Sequence, residues 1–540
     1  MEHLSHKQKT TIMIAIVASM LFAALNQTIV GTILPRIISE LKGMEYFYWV
    51  FTIYMLSSSI TAILVGKLSD IYGRKPFLLV GIGLFVLGSF LCGTSANIFQ
   101  LITYRGIQGL GGGMVMSTAF TAVGDLFSPR ERGRWQGLMS ATFGLASILG
   151  PMLGGYIVDH MDWHWCFWIF LPFGIITFAL IWRLFPQAPR KDKQPIDYFG
   201  SLFLTLTMIP MLLAFTWAGS KYAWTSLCIL GLFAASAVAL LIFILIERAV
   251  KSPVLPLALF KNSIFSLSNL INFILGAGMF GAIMYTPFFI QGVMGQSATH
   301  SSFIMIPMTL GLVSGSILSG QITSRTGKYK VLALSGLIVM SVGMFSMYFI
   351  DPDISVLQLV LHMLVIGIGL GVSFPIFMLT VQNAVDYRHL GVATSSSQLF
   401  RQLGGTIGVS IMGTIMTTTM KSELEKLTPA GRADMLAQNP EAAEKLASLR
   451  NPQILMNHEQ LAAIKSRLPE PLISTFDQTI HILKAALATA INHVFLAGSI
   501  ILATGFILTL FLKEIPLRTS NQQINKEEDE SNQVLRERLN

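Results

Sequence analysis

The sequence predicts an all-α integral membrane protein of 14 transmembrane helices: two six-helix pseudo-repeat bundles with two inserted helices. Three observations carry this. The 540 residues are 53% hydrophobic and only 12% charged, whereas a soluble chain carries about a quarter charged residues. Fourteen stretches of 19 or more residues hold few charges, and each is long enough to cross a hydrocarbon core of about 30 Å as a helix. Glycine-bearing loops recur at a nearly constant offset. The apolar runs are continuous rather than alternating, and too long for barrel strands, so a β-barrel is not supported.

Span 1 (11–34) contains AALNQTIVGTILP, in which Asn26, Gln27 and Thr28 place two amides and a hydroxyl inside an apolar run. It is too long for a signal-peptide core and reads as a retained anchor. Spans 2 (47–68) and 3 (77–96) flank the loop GKLSDIYGRK. Gly66 and Gly73 permit close helix approach and a tight turn. Asp70 lies near the end of span 2, where Arg74 or the positive N-terminus of span 3 could hold it. Such contacts close an inner gate and break when the halves rotate; a simple anchoring role for Arg74 and Lys75 is the plainer alternative.

Span 4 (98–123) carries YRGIQGLGGG. Arg105 lies about a turn and a half inside it, where a charge costs at least roughly 2.5–3.5 kcal/mol. Span 5 (135–158) contains GLASILGPMLGG, and its Pro151 removes a backbone bond and bends the helix. Span 6 (163–184) begins at WHWCFWIFLP. Spans 7 (198–218) and 8 (224–246) follow, then spans 9–14 at 263–289, 301–322, 331–350, 355–380, 392–419 and 486–512. Phe215 and Trp217 of span 7, with Phe273, Met279, Phe280, Met284 and Tyr285 of span 9, suit an adaptable apolar surface or ordinary packing. Span 13 carries FRQLGGTIG, with Arg401 beside Gln398 and Gln402.

Two echoes define the repeat. GKLSDIYGRK (66–75) and GQITSRTGKY (320–329) align Gly66 with Gly320, Gly73 with Gly327 and Arg74 with Lys328. SPRERG (128–133) and DYRHLG (386–391) align Arg130 with Arg388 and Gly133 with Gly391. Parallel repeats of this kind belong to proteins in which two bundles rock about a site near the membrane midplane. The expected units are 1–185, an N-terminal six-helix bundle; 198–246, two inserted helices; 263–512, a C-terminal six-helix bundle; and a cytoplasmic, largely disordered tail, 513–540. Within the third, 421–484 is polar and extracytoplasmic, with helical pieces KSELEKL, EAAEKLASL and HEQLAAIKSRL broken at Pro429, Pro440, Pro452, Pro469 and Pro471.

Charge sets the orientation. One side holds Lys67, Arg74 and Lys75; Arg130, Arg132 and Arg134; Arg190, Lys191 and Lys193; Arg248, Lys251 and Lys261; and Arg325, Lys328 and Lys330. The other side's short loops hold only Arg36, Lys42 and Lys221. The basic side is expected to be cytoplasmic, with both termini there. The net charge of +9 and pI of 9.4 are thereby accounted for without a nucleic-acid partner. Cys92, Cys166 and Cys228 all fall in spans and imply no disulfide framework.

These stretches resemble the major facilitator superfamily, specifically its fourteen-span drug:proton antiporters. GKLSDIYGRK, YRGIQGLGGG, GLASILGPMLGG and LNQTIVGTILP carry the match, and WHWCFWIFLP and FRQLGGTIG support it. The resemblance implies a cytoplasmic charge latch of Asp70, Arg74 and Asp125, set by Gly66 and Gly73. It places Arg105 and Gln108 near the proton and substrate route. It assigns Gly150, Pro151, Gly154 and Gly155 to the antiporter motif, and Asn26, with Gln27 beside it, to the central cavity. Arg401 is read into that cavity on the same cost of a buried charge as Arg105, with snorkelling to a surface as the plainer alternative for both.

The sequence also departs from that pattern. Relatives carry LDQTIV where this chain has LNQTIV, so the acid expected at position 26 is an amide that cannot titrate near neutral pH. Asp125, Asp159 and Glu247 lie near span ends, and no Asp or Glu is central in any span. His362 and His493 titrate in the useful range but read as polar packing groups. His164 and Phe170 stand where the family's signature has Arg and Asn. With no central carboxylate to offset a cation's desolvation, an uncharged or anionic substrate fits better than a dication, although aromatic rings compensate in part.

The leading expectation is export of amphipathic small molecules (drugs and toxic compounds) across the cytoplasmic membrane by proton antiport, with lipids as the surrounding partner. Nothing supports an enzyme: no nucleophile–base pair or His/Asp/Glu cluster lies together in a span, and no metal or cofactor is implied. GLGGG lies within a span and no GxxxxGK[ST] occurs, so no nucleotide site is visible. Transport of lipid-like cargo and a non-transporting membrane sensor remain as alternatives. Asn26→Asp is expected to raise recognition of cations, and Arg105→Ala to abolish transport.

Overall fold

The protein is described here by a computed structural model, which defines residues 5–41, 46–186, 197–219, 222–296, 298–427 and 470–517, together with residues 455, 461, 465 and 466. Fourteen membrane-length segments occur among them, at the positions of the fourteen spans. The first seven are α1 (His6–Leu41), α2 (Phe47–Tyr72), α3 (Arg74–Cys92), α4 (Ile98–Leu126), α5 (Pro129–His160), α6 (Leu171–Leu184) and α7 (Tyr198–Trp217). The others are α8 (Leu227–Ala249), α9 (Ser263–Phe288), α10 (Ala298–Thr326), α11 (Lys330–Ser346), α12 (Val356–Asn383), α13 (Leu390–Leu427) and α14 (Glu470–Leu510). A single helical turn, Trp165–Trp168, precedes α6, and α9 runs into a π-helical turn, Phe289–Val293.

A helix satisfies its own backbone groups, which hydrocarbon cannot do. Twelve of the described helices are long and apolar enough to cross a membrane on composition alone. The other two are α4 and α13, which carry Arg105 and Arg401, glycines and runs of hydroxyls. They reach one another through Ser117 and Ser395, whose hydroxyl oxygens are 3.1 Å apart. Polar residues in a membrane turn inward to other helices, and these two least apolar helices obey that rule by facing each other.

Helices α1–α6 form one set. In it α4 packs on α2 and α3, α5 packs on α1, and α6 packs on α1 and α3. Phe22, Tyr54 and Phe85 form one of its cores. Helices α9–α14 form the second set around a methionine-rich core that includes Met340, Met344, Met347 and Met363. Between them, α7 and α8 pack together and rest on α2 and α13 through Leu204, Met208, Phe243, Ile63 and Val392. Outward-facing apolar groups such as Trp182, Leu227 and Phe511 are exposed, as lipid contact requires. The main seam between the sets runs along α5–α10 and α2–α13.

Several polar ends exceed their expected bounds. Part of 421–484 is helical continuation, since α13 runs to Leu427 and α14 begins at Glu470. Most of the rest of that segment lies outside the described residues, as do Lys42, the loop with Arg190, Lys191 and Lys193, Lys221, and the tail from 518.

Candidate functional site

One end of the molecule, called here the basic end, carries Lys67, Arg74, Lys75, Arg130 and Lys328. Arg74 sits there between two carboxylates. Its Nε donates to Asp125 Oδ2 at 3.0 Å, its Nη1 to Ser69 Oγ at 2.5 Å, and its Nη2 to Asp70. All three charged side chains are nearly buried. The latch residues inferred from the sequence therefore meet.

Asp70 also reaches across the seam. Its two oxygens accept the backbone N–H groups of Gly391 at 3.0 Å and Val392 at 3.2 Å. These are unpaired donors in the first turn of α13, where the helix dipole favours an anion. Of the two expected holders of Asp70, Arg74 and the N-terminus of span 3, Arg74 binds it, and the helix N-terminus that adds to it is that of α13, because the seam lays α13 against the end of α2.

The repeat supplies a second version of this contact, without a carboxylate. A methyl group on Gly66 would lie 2.9 Å from the Gly391 carbonyl oxygen, and one on Gly133 would lie 3.2 Å from that of Gly320. Gly66 aligns with Gly320 and Gly133 with Gly391, so the two close approaches exchange under the repeat. The counterpart of Asp70 is Ser324, whose Oγ donates to the Arg130 carbonyl at 2.8 Å. Arg130 in turn donates to the carbonyls of Ser324 at 2.9 Å and Arg325 at 2.6 Å. One latch caps a helix N-terminus with an acid; the other caps a helix C-terminus with a base. Gly73 and Gly327, also repeat mates, both take positive φ, 87° and 70°, which glycine adopts without steric cost.

Asn26 does not face this seam. It is fully buried, as are Arg105 and Gln108, inside the α1–α4 packing. Arg105 Nη1 donates to Gln108 Oε1 at 2.6 Å and to Asn26 Oδ1 at 3.4 Å, while Gln108 Nε2 donates to Asn26 Oδ1 at 3.0 Å. Arg105 Nε reaches the Val50 carbonyl at 3.4 Å, and its guanidinium lies 4.2 Å over the Tyr54 ring. Asn26 Nδ2 points to Ser89 Oγ at 3.4 Å. Arg105 Nη2 has no partner among the described residues. The cluster holds a buried cation with amides where a carboxylate would compensate it.

The neighbours of Asn26 divide the labour. Thr28 Oγ1 donates to the Ala146 carbonyl of α5 at 2.9 Å and presses against Gly150, while Gly154 abuts Ile29 and Ile33. Gly150 and Gly154 therefore make the α1–α5 contact; Pro151 lies inside α5, and Gly155 has nothing within 4 Å. Gln27 is only partly buried, and its Nε2 lies 3.4 Å from Met55 Sδ. Gln402 Nε2, from the other set, lies 3.4 Å from the Met55 carbonyl. Arg401, also partly buried, lays its guanidinium 4.1 Å over the Phe374 ring.

Two groups escaped the sequence reading. Gln136 of α5 donates its Nε2 to Gln382 Oε1 of α12 at 2.6 Å, and Gln382 Nε2 donates to Thr394 Oγ1 at 2.9 Å and the Phe120 carbonyl at 3.2 Å. All lie near the basic end, and the only signal for them was two amides close to the ends of apolar spans. The side-chain hydrogen bonds across the seam thus cluster on its basic half, and Gln402–Met55 is the outermost. Among the described residues no group of His, Cys, Asp or Glu could hold a metal ion.

Compared with known families, residues 16–409 match the Major Facilitator Superfamily. Multidrug transporter protein MdtP of Bacillus subtilis (strain 168) is 38% identical over 526 residues, which cover 97% of this chain and 96% of that protein. Multidrug resistance protein 3 of the same organism is 32% identical over 528 residues, covering 97% and 100%. Among solved structures, the human organic anion transporter MFSD10 aligns with a TM-score of 0.58 at 14% identity, covering 92% of this chain and 99% of that one. That last likeness is one of fold.

Proposed function

The chain belongs to the major facilitator superfamily, and on that premise we propose that this multi-pass membrane protein exports amphipathic small molecules by alternating access, with proton antiport as its energy source. The observation that carries the reading is the double latch. Asp70 on α13 and Arg130 on α10 join the two six-helix sets at the basic end, as a state closed at that end requires. With the basic end cytoplasmic, as charge bias favours, the state faces outward and both termini lie inside, in the cytoplasmic membrane.

Release of both latches lets the sets rock and opens the basic end. Each latch rests on helix-end groups and a few side chains, so it can re-form at each cycle. The acid placed to take up a proton is Asp70, which shares the Arg74 guanidinium with Asp125. Protonating it would free Arg74 from one partner and loosen the contact with α13.

Everted membrane vesicles test the reading. The expected result is accumulation of an amphipathic dye inside vesicles that hold an acid-inside pH gradient, lost when the gradient is collapsed and lost in Asp70→Asn. Accumulation that persists without the gradient rejects proton coupling. Movement of fluorescent phospholipid but of no dye favours the lipid-like cargo, and movement of nothing rejects export.

A further inference from the structure

We propose that Arg401, laid on the Phe374 ring, is the anion acceptor of the transport route, so that favoured substrates carry a carboxylate or comparable anionic group on a flat apolar body. The inference rests on the efflux reading above and names its substrate class.

Arg401 stands 11 residues beyond the first residue of α13, about 16 Å along the helix at 1.5 Å per residue. That rise is about half the thickness of a hydrocarbon core of roughly 30 Å. Arg401 makes no side-chain hydrogen bond and no ion pair among the described residues; its contact is the ring beneath it. One turn back on the same helix, Gln398 has its Nε2 buried without a partner. Two sets of donors thus stand a turn apart with no acceptor among the described residues. The chain's other deep arginine cannot serve, because Arg105 is enclosed and donates to Gln108, Asn26 and Val50.

The surface beside Arg401 is aromatic and crosses the seam. Phe374 of α12 lies 6.3 Å from Phe143 of α5, both partly buried, while Phe120 of α4, 6.4 Å from Phe143, is fully buried. A flat apolar body fits along such rings, while a guanidinium fork takes a carboxylate with two parallel hydrogen bonds. The ring under Arg401 compensates part of its charge and leaves its in-plane donors free. A cationic substrate entering here would meet an unpaired positive charge without a carboxylate to offset it. The arrangement therefore discriminates by sign, and only an anion completes it.

The test uses full-length protein in lipid nanodiscs and three probes on one ring system: 1-pyrenebutyrate, 1-pyrenebutanol and 4-(1-pyrenyl)butyltrimethylammonium. The wild type is expected to bind the acid at least tenfold more tightly than the alcohol, with the ammonium compound weakest. Arg401→Gln is expected to bring the acid-to-alcohol ratio to about one. Arg401→Lys should keep about a third of the preference, since it retains charge without the fork. Phe374→Leu should weaken all three probes. Equal wild-type affinities for acid and alcohol, a preference for the ammonium compound, or a ratio unchanged in Arg401→Gln overturns the proposal. If Arg401→Gln does not fold, the wild-type ratio and Arg401→Lys decide. In everted vesicles, alcohol movement with no advantage for the acid defeats this inference alone; movement of none of the three defeats the efflux reading as well.

Discussion

Asp70 accepts the backbone N–H of Gly391 at 3.0 Å across the seam between the two helix sets. The same carboxylate binds Arg74 within its own set, so one side chain ties the internal charge cluster to the opposing helix. Asp70→Asn keeps the shape and removes the charge. Breaking a buried pair by removing one partner costs roughly 3–5 kcal/mol. Even part of that, released on opening, would shift the basic end toward its open form by at least tenfold. Maleimide labelling of Ser395→Cys, a position buried against Ser117 in the closed seam, should accelerate accordingly in Asp70→Asn.

Gln136 and Gln382 form a neutral clamp whose two members are not equivalent. Gln382 makes three hydrogen bonds, whereas Gln136 makes one through Nε2 and leaves its Oε1 without a partner. Gln136→Leu should therefore cost only about 1 kcal/mol, and Gln382→Leu about 2–4 kcal/mol. Thermal unfolding in detergent checks the order, and the double variant should cost less than the sum because the two residues share a bond.

Asn26→Asp is expected to behave differently from the sequence-based expectation. The new carboxylate would stand where Oδ1 now lies, 3.4 Å from Arg105 Nη1 and 3.0 Å from Gln108 Nε2, with no exposure to a substrate path. It should stabilise the protein by roughly 1–2 kcal/mol through charge-assisted hydrogen bonds and leave cation export unchanged. Higher cation export with unchanged thermal stability would contradict the enclosed position.

His389 lies in the short turn before α13, where burial first and then Lys67 lower its pKa, against the opposing pull of Asp70 and Asp386, with Arg388 adding least. The unfolded chain then binds the proton more readily than the folded one. The stability this group contributes is present above its ordinary value of 6.5 and is lost as pH falls through the lower folded value. His389→Asn should flatten the fall in melting temperature between pH 7 and pH 5 relative to the wild type.

The fourteen helices were legible because hydrocarbon demands long continuous runs with few charges, a pattern that α4 and α13 keep although they fall short on apolarity. Helix ends were less legible, since α1, α13 and α14 extend past the hydrocarbon into polar sequence where no hydropathy signal stops them. The repeat was legible in Gly66, Gly133, Gly320 and Gly391, and those four residues make two of the close approaches of the seam. Which helix end Asp70 caps was not, because it depends on how the sets dock rather than on any local pattern. The enclosure of Asn26 was hidden for a related reason: position along a helix does not say which face turns toward Arg105 and which toward the seam. Gln27, one residue on, takes the other direction.

The central claim, that the basic end closes and opens as the sets rock, is tested most directly by spin-label separations between Arg134→Cys on α5 and Lys328→Cys beyond α10. Cys228→Ser would remove the exposed native cysteine, since Cys92 and Cys166 are buried. One short separation is expected at rest and a second, longer population when substrate and a pH gradient are applied, with the longer population already present at rest in Asp70→Asn. A single separation, unchanged by substrate, gradient and Asp70→Asn alike, would contradict that claim.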